Sequence, residues 1–200
     1  MAGRIEKIFK RNEWIIVKLT LVVPCFNEEE SIINFYSEVT RVFKDKVEDY
    51  ELVFVNDGSR DKTPELLRAI YERADNVKVV NFSRNFGKEA AIYAGLKMSG
   101  GDYTCVIDAD LQQRPEVVLE MKEILDSNED IDCVAAYQGE RKESKLLIFF
   151  KDNFYKIINK MSDVELYPGA SDFRLMRRQM LDSVLEMSEY SRFSKGIFSF

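Results

Sequence analysis

The chain has 200 residues, 46% of them hydrophobic, enough for one well-filled core with at most a small appendage. A formal net charge of −6 and a pI near 5.0 exclude a general nucleic-acid-binding role, which calls for a basic face. Histidine is absent, which removes Ser-His and Cys-His nucleophiles, histidine general bases and histidine metal ligands together and leaves carboxylates, lysines, arginines and a metal to carry any chemistry.

Residues 1–18 include Arg4, Lys7, Lys10 and Arg11 but neither a continuous apolar core nor a small-residue cleavage site, so they read as an N-terminal extension and not as a secretory signal. From Leu19 onward short β-rich runs alternate with longer helical stretches. The strands are expected at 19–23, 51–56, 77–82, 103–108 and 133–137, where β-branched and aromatic residues cluster between turn formers. Between them, 31–43, 63–74, 88–98 and 115–125 repeat apolar residues at three- and four-residue steps, the helical period. Asp61-Lys62-Thr63-Pro64 and Arg114-Pro115-Glu116 supply helix-start signals. Such alternation implies an α/β fold, a Rossmann-like, mainly parallel sheet with helices on both faces.

In sheets of this kind ligands sit beyond the carboxyl ends of the strands. Four polar clusters fall there: Pro24-Cys25-Phe26-Asn27-Glu28, Asn56-Asp57-Gly58-Ser59, Ser83-Arg84-Asn85-Phe86-Gly87-Lys88 and Asp108-Ala109-Asp110. Any one of them is ordinary loop chemistry. Together they point to a nucleotide and metal site. Asp108 and Asp110, separated by one small residue at a strand end, are expected to share one hard cation, Mg²⁺ or Mn²⁺, which keeps positions open for a substrate phosphate.

Cys25, Cys105 and Cys133 lie dispersed in apolar, strand-like runs with no CxxC pair, which argues for a reducing compartment and against a disulfide framework or a zinc site. No apolar run approaches the ~18–20 residues that cross a bilayer. Residues 141–160 carry Arg141, Lys142, Lys145, Lys151, Lys156 and Lys160, interleaved with Leu146, Phe149, Phe150, Phe154, Ile157 and Ile158. They read as a basic amphipathic helix, packed on the core with a solvated face or lying on an anionic membrane surface.

The ordered series PCFNEEESI, VNDGSRDKT, SRNFGKEAAIYAGL, GDYTCVIDADLQQRPE, SDFRLMRR and RFSKGIF resembles family 2 glycosyltransferases. The similarity is to the polyprenyl-phosphate branch, with bactoprenol glucosyltransferases and dolichol-phosphate mannose synthases, and runs from about residue 19 to 200. The resemblance implies a GT-A fold for 19–200 as a single catalytic domain, an inverting mechanism, a nucleotide-diphosphate sugar donor, UDP-sugar favoured, and a polyprenyl phosphate acceptor at the cytoplasmic face of the membrane. It implies nucleotide contacts from Pro24, Asn27, Glu28, Asp57, Arg84, Lys88, Asp108, Arg192 and Lys195, with Asp108, Asp110 and Gln112 at the metal. Arg141, Asp172 and Arg174 match positions on the acceptor side of the reaction centre.

Some positions depart from the family pattern. Asn56 stands where many relatives have a second aspartate, Ser171 where glycine is usual before Asp172, and Lys195 replaces an arginine, keeping charge but losing the planar fork. Relatives usually continue into membrane spans, so a chain ending at Phe200 reads as a fragment or as a short form needing a membrane anchor partner or a homo-oligomer. Two other readings stay open: a polysaccharide or protein acceptor, and a non-catalytic nucleotide-sugar-binding domain. A phosphatase of the aspartyl-phosphate type is disfavoured, because its DxD follows the first strand and this one the fourth.

Overall fold

The computed structural model describes residues 19–44, 46–47, 49–137 and 170–186. The elements are β1 (Leu19–Cys25), α1 (Ile32–Phe43), β2 (Tyr50–Asn56), α2 (Thr63–Arg73), β3 (Val77–Asn81), α3 (Lys88–Met98), β4 (Tyr103–Val106), α4 (Pro115–Ser127), β5 (Cys133–Tyr137), β6 (Ala170–Arg177) and α5 (Arg178–Glu186). The expected strands and helices up to residue 137 are all present, with ends moved by one or two residues. Residues 1–18, the 141–160 segment and 192–198 lie outside the described residues.

The strands form one six-stranded sheet in the order β3-β2-β1-β4-β6-β5. β1 pairs in parallel with β2 and β4, and β2 with β3. β6 is inserted antiparallel between β4 and β5, with Val106 opposite Arg174 and Ala135 opposite Arg174 on the other side. The periodicity of the sequence did not single out β6 or α5. A reversed strand brings its amino-terminal half to the edge where the parallel strands end, so Asp172 and Arg174 lie beside the carboxyl end of β4.

Side-chain alternation builds a core on each face. Leu19, Leu21, Val23, Leu52, Phe54, Cys105, Phe173 and Leu175 face Ile32, Phe35, Leu67, Val118 and Leu125 of α1, α2 and α4. Val22, Val53, Val55, Val106 and Met176 face Ala91, Ile92, Leu96 and Leu181 of α3 and α5. Arg174 shares the parity of Met176, so Asp172 and Arg174 belong to the face that α3 covers. Each buried aliphatic side chain contributes about 1.5–3 kcal/mol of transfer free energy.

α3 approaches the sheet closely because of one glycine. A Cβ at Gly95 would stand 2.2 Å from Val22 Cγ1 and 3.1 Å from Val55 Cγ2. Alanine is the better helix former by about 1 kcal/mol, but forcing a methyl into packed atoms costs about 1–3 kcal/mol. Gly95→Ala is therefore expected to destabilise the chain, read as a lower urea midpoint with an unchanged slope. An equal or higher midpoint would show that β1 and α3 separate freely.

Candidate active site

The loops after β1 and β2 are clasped by reciprocal hydrogen bonds. The Asn27 N–H donates to Ser59 Oγ at 2.9 Å, and the Arg60 N–H returns one to Asn27 Oδ1 at 2.9 Å. The Glu28 N–H reaches Thr63 Oγ1 at 2.8 Å, Glu29 N–H reaches Asp61 Oδ2 at 3.0 Å, and Lys62 N–H reaches Glu29 Oε2 at 3.0 Å. Asn27 adopts φ 56°, a left-handed conformation that asparagine tolerates better than most residues. Asp61 also accepts from the Thr63 N–H at 3.0 Å, satisfying an orphan amide at the start of α2. Burial alone would raise the Asp61 carboxyl, but the hydrogen bonds from Thr63 and Glu29 outweigh it and hold it below the usual aspartate value.

Asp57, at the end of β2, is 3% exposed. Its Oδ1 accepts from the Phe86 N–H at 2.7 Å and its Oδ2 from the Gly87 N–H at 2.9 Å. The neighbouring Gly58 has φ 68°, and a Cβ there would lie 2.4 Å from the Arg84 carbonyl carbon. Glycine is thus required both by backbone conformation and by close approach. These contacts fix the β3–α3 loop, and Gly87, at φ 97°, turns it into the first residue of α3, Lys88.

Lys88 lies between two carboxylates, one on the turn after β4 and one on β6. Its Nζ is 2.7 Å from Asp108 Oδ1, 2.9 Å from Asp108 Oδ2 and 3.6 Å from Asp172 Oδ2. Burial would lower the ammonium pKa, but the hydrogen bond and charge of Asp108, joined by Asp172, prevail and raise it above the ordinary lysine value. Asp172 Oδ1 is buried and accepts no hydrogen bond from the described residues. Two residues along β6, Arg174 is 3% exposed; burial depresses its guanidinium pKa, opposed by the charges of Cys133 and Asp172.

β4 ends at Val106, short of the expected Asp108, although the Ile107 N–H still reaches the Val22 carbonyl at 3.0 Å. The acidic pair therefore stands on the turn beyond the strand. Leu111 turns the chain at φ 60°, and the Gln112 N–H donates to Asp110 Oδ1 at 3.0 Å. The side chain that grips Asp108 is Gln113: its Oε1 accepts from the Asp108 N–H at 3.0 Å and its Nε2 donates to Asp108 Oδ2 at 3.3 Å.

Among the cavities that the described residues line on this edge, two bear on the site. One of about 320 Å³ is lined by Pro24, Phe26, Glu28, Asp57, Lys88, Asp108 and Asp110, residues from all four expected clusters. The other, about 710 Å³, shares Phe26 and Asn85 with it and includes Asn27, Arg60, Arg68, Tyr71 and Arg84, with no carboxylate among its lining residues. The Arg84 guanidinium sits 4.2 Å from the Phe86 ring centroid. Gln112 is exposed and lines neither cavity; Arg141, Arg192 and Lys195 lie outside the described residues. Phe26 and Gln113 were not among the expected site residues. Phe26 lies inside the first cluster, but nothing in the sequence separates Gln113 from Gln112 before the left-handed turn at Leu111 is known.

No three Asp, Glu, Cys or His side chains among the described residues form a metal-binding group. Asp108 and Asp110, which line one cavity, nevertheless suit Mg²⁺ or Mn²⁺ that keeps water and ligand phosphate in its remaining positions. Burial raises the pKa of all three thiols, foremost Cys25, where Glu28 and Asp108 add to the effect. None is a thiolate nucleophile.

Residues 20–185 match the family model described as glycosyl transferase family 2, so the chain belongs to that family. The prophage bactoprenol glucosyl transferase homolog of Escherichia coli is 39% identical over 184 residues, covering 92% of this chain and 60% of that protein. The chain spans 54% to 60% of the length of the curated relatives compared. Among solved structures, Staphylococcus aureus TarS 1–349 superposes with a TM-score of 0.62 at 17% identity, covering 92% of this chain and 54% of that one. The mannosyltransferase PcManGT of Pyrobaculum calidifontis, solved with GDP-Man and Mn²⁺, gives 0.60 at 19% identity over 85% of this chain and 47% of that one. The fold is of the GT-A type.

Asp57→Asn places an amide donor against a backbone N–H and loses the charge-assisted bonds, each worth about 1.5–3 kcal/mol. The expected result is faster hydrogen exchange at Phe86 and Gly87, by on the order of tenfold or more, with the β1 and β2 amides unchanged. Unchanged exchange at Phe86 and Gly87 would show that the loop does not depend on Asp57.

Proposed function

We propose that this chain is the catalytic domain of an inverting glycosyltransferase that moves a hexose from a nucleotide-diphosphate sugar to a polyprenyl phosphate at the cytoplasmic face of the membrane. UDP-sugar is the favoured donor. The observation that carries this reading is the meeting of Asp108, Asp110 and Lys88 in one cleft, with Asp172 in ion-pair range of Lys88, beside a cavity lined by three arginines and no carboxylate. An anionic nucleotide fits such a cavity, and the relatives' bactoprenol chemistry supplies the acceptor class.

In the reaction, an acceptor phosphate oxygen attacks the anomeric carbon while the bond from that carbon to the diphosphate oxygen breaks. The nucleoside diphosphate leaves with the electron pair, and the configuration inverts. A divalent cation held by Asp108 and Asp110, with Gln112 proposed as a further ligand, would stabilise the charge on that leaving group. A phosphate monoester acceptor is already ionised near neutral pH, so a strong base is unnecessary. Asp172 and Arg174, together with Arg141, are proposed to orient the acceptor, Arg174 through the guanidinium fork that matches phosphate. Pro24, Asn27, Glu28, Asp57, Arg84, Lys88, Asp108, Arg192 and Lys195 are proposed to hold the nucleotide, Asp108 through the cation it would bind. Among the described residues Asn27 and Asp57 do so by shaping the loops, since their side chains bond backbone amides.

No helix among the described residues is long and apolar enough to cross a membrane. The basic 141–160 segment is the proposed surface contact with anionic lipid, each basic residue contributing on the order of 1 kcal/mol at low salt.

The direct test is a screen of UDP- and GDP-sugars for binding with and without Mn²⁺, followed by transfer to a short-chain polyprenyl phosphate. Mn²⁺ is expected to strengthen UDP binding, and Asp110→Asn to remove most of that gain, about tenfold or more, without unfolding the chain. UDP affinity equal in Mn²⁺ and in EDTA would reject the metal assignment. Transfer to a sugar hydroxyl but not to the lipid phosphate would reject the acceptor assignment.

A further inference from the structure

We propose that Lys88 is the resident counter-cation of Asp108, and that it gives up this carboxylate to an incoming divalent cation by passing its ammonium to Asp172. The proposal rests on the reading of Asp108 and Asp110 as cation ligands. It assigns Lys88 a positioning role that links occupancy of the donor site to the charge of Asp172.

Both Asp108 oxygens are already engaged. Lys88 Nζ lies 2.7 Å from Oδ1 and 2.9 Å from Oδ2, and Gln113 Nε2 takes a second place on Oδ2 at 3.3 Å. A Mg²⁺-sized ion binds a carboxylate oxygen at about 2.0–2.1 Å. On the same pair of oxygens it would sit within about 5 Å of the ammonium, where like charges repel strongly away from bulk water. Lys88 and a divalent cation therefore compete for Asp108.

Among the described residues, the carboxylate other than Asp108 that lies within ion-pair range of the ammonium is Asp172. Asp57, in the same cavity, has both oxygens committed to the Phe86 and Gly87 amides, and Glu28 takes the Ser31 hydroxyl. Asp172 Oδ2 is 3.6 Å away, inside ion-pair range but beyond a good hydrogen bond, and Asp172 Oδ1 accepts none from the described residues. A shift of less than an ångström or so in the last torsions of the lysine closes the gap. The backbone of Lys88 need not move, since Asp57 and Gly87 fix its start.

Two consequences follow from this geometry. Without ligand the Asp108 charge is neutralised internally, so a divalent cation alone binds weakly, and a diphosphate that adds negative charge to the cleft favours its entry. With the cation in place, Asp172 becomes the paired carboxylate. Donor loading thereby changes the electrostatics of the β6 edge, on which Arg174 also stands.

The test is Mn²⁺ binding to the nucleotide-free full chain, followed by calorimetry and by the electron paramagnetic resonance of free Mn²⁺. Lys88→Gln, which removes the charge at a half-exposed position, is expected to bind Mn²⁺ on the order of tenfold more tightly than the native chain. The factor by which Mn²⁺ strengthens UDP binding should shrink correspondingly. Lys88→Arg, which keeps the charge, should remain near the native affinity. Asp172→Asn, which removes the receiving carboxylate, should weaken Mn²⁺ binding severalfold. If Asp110→Asn abolishes Mn²⁺ binding but Lys88→Gln leaves it equal or weaker, competition by Lys88 is refuted and the cation site stands. If Asp172→Asn has no effect, transfer to Asp172 is refuted. Mn²⁺ binding that is absent or indifferent to Asp110→Asn rejects the cation site itself, and this proposal with it.

Discussion

The buried Asp57 carboxylate, accepting two consecutive backbone amides of the β3–α3 loop, is the interaction on which the catalytic edge depends. A carboxylate at 3% exposure loses most of its hydration, and it persists there because charge-assisted hydrogen bonds replace that water. Those bonds determine where α3 begins. The start of α3 determines where Lys88 stands, and Lys88 connects the turn after β4 to β6. Gly58 makes the arrangement possible by letting the β2 loop lie directly on the Arg84 backbone.

The second constraint is topological. A sheet made only of parallel strands would bring loops alone to its carboxyl edge. Reversing β6 brings the amino-terminal half of a strand there, so Arg174 is held by strand pairing on both sides, and Asp172 follows it two residues further out, where the β5–β6 register shifts. Regular strand pairing places side chains more accurately than loops do. The reversed strand also brings a carboxylate to the α3 face within ion-pair range of Lys88, 3.6 Å away, although the two residues are far apart in sequence.

Much of this was legible in the sequence because period-two and period-3.6 patterns are strong in a sheet buried on both faces. Leu19 to Cys25 and Glu51 to Asn56 read as strands, and the polar clusters after them fell at the expected edge. β6 escaped because SDFRLMRR mixes charges with apolar residues: Arg174 is buried on one face while Phe173 and Leu175 fill the other, which blurs the alternation. The roles of individual polar residues were less legible than their location. Asn27 and Asp57 belong to the site by position, yet their side chains are bound to backbone amides. The choice between Gln112 and Gln113 depends on a single left-handed residue, Leu111, which no propensity rule would place there.

The clasp between the β1 and β2 loops bears on how the chain folds. Its bonds join residues 32 to 35 apart in sequence, and the β1–β2 ladder already joins residues such as Cys25 and Asn56. Once the two strands have paired, the clasp closes no new loop of any length, and its entropic cost is confined to a few side chains and turns. It can form late and open early, like the end of a zipper, while the sheet beneath stays intact. The rim of the site is thus expected to open at lower free energy than the core.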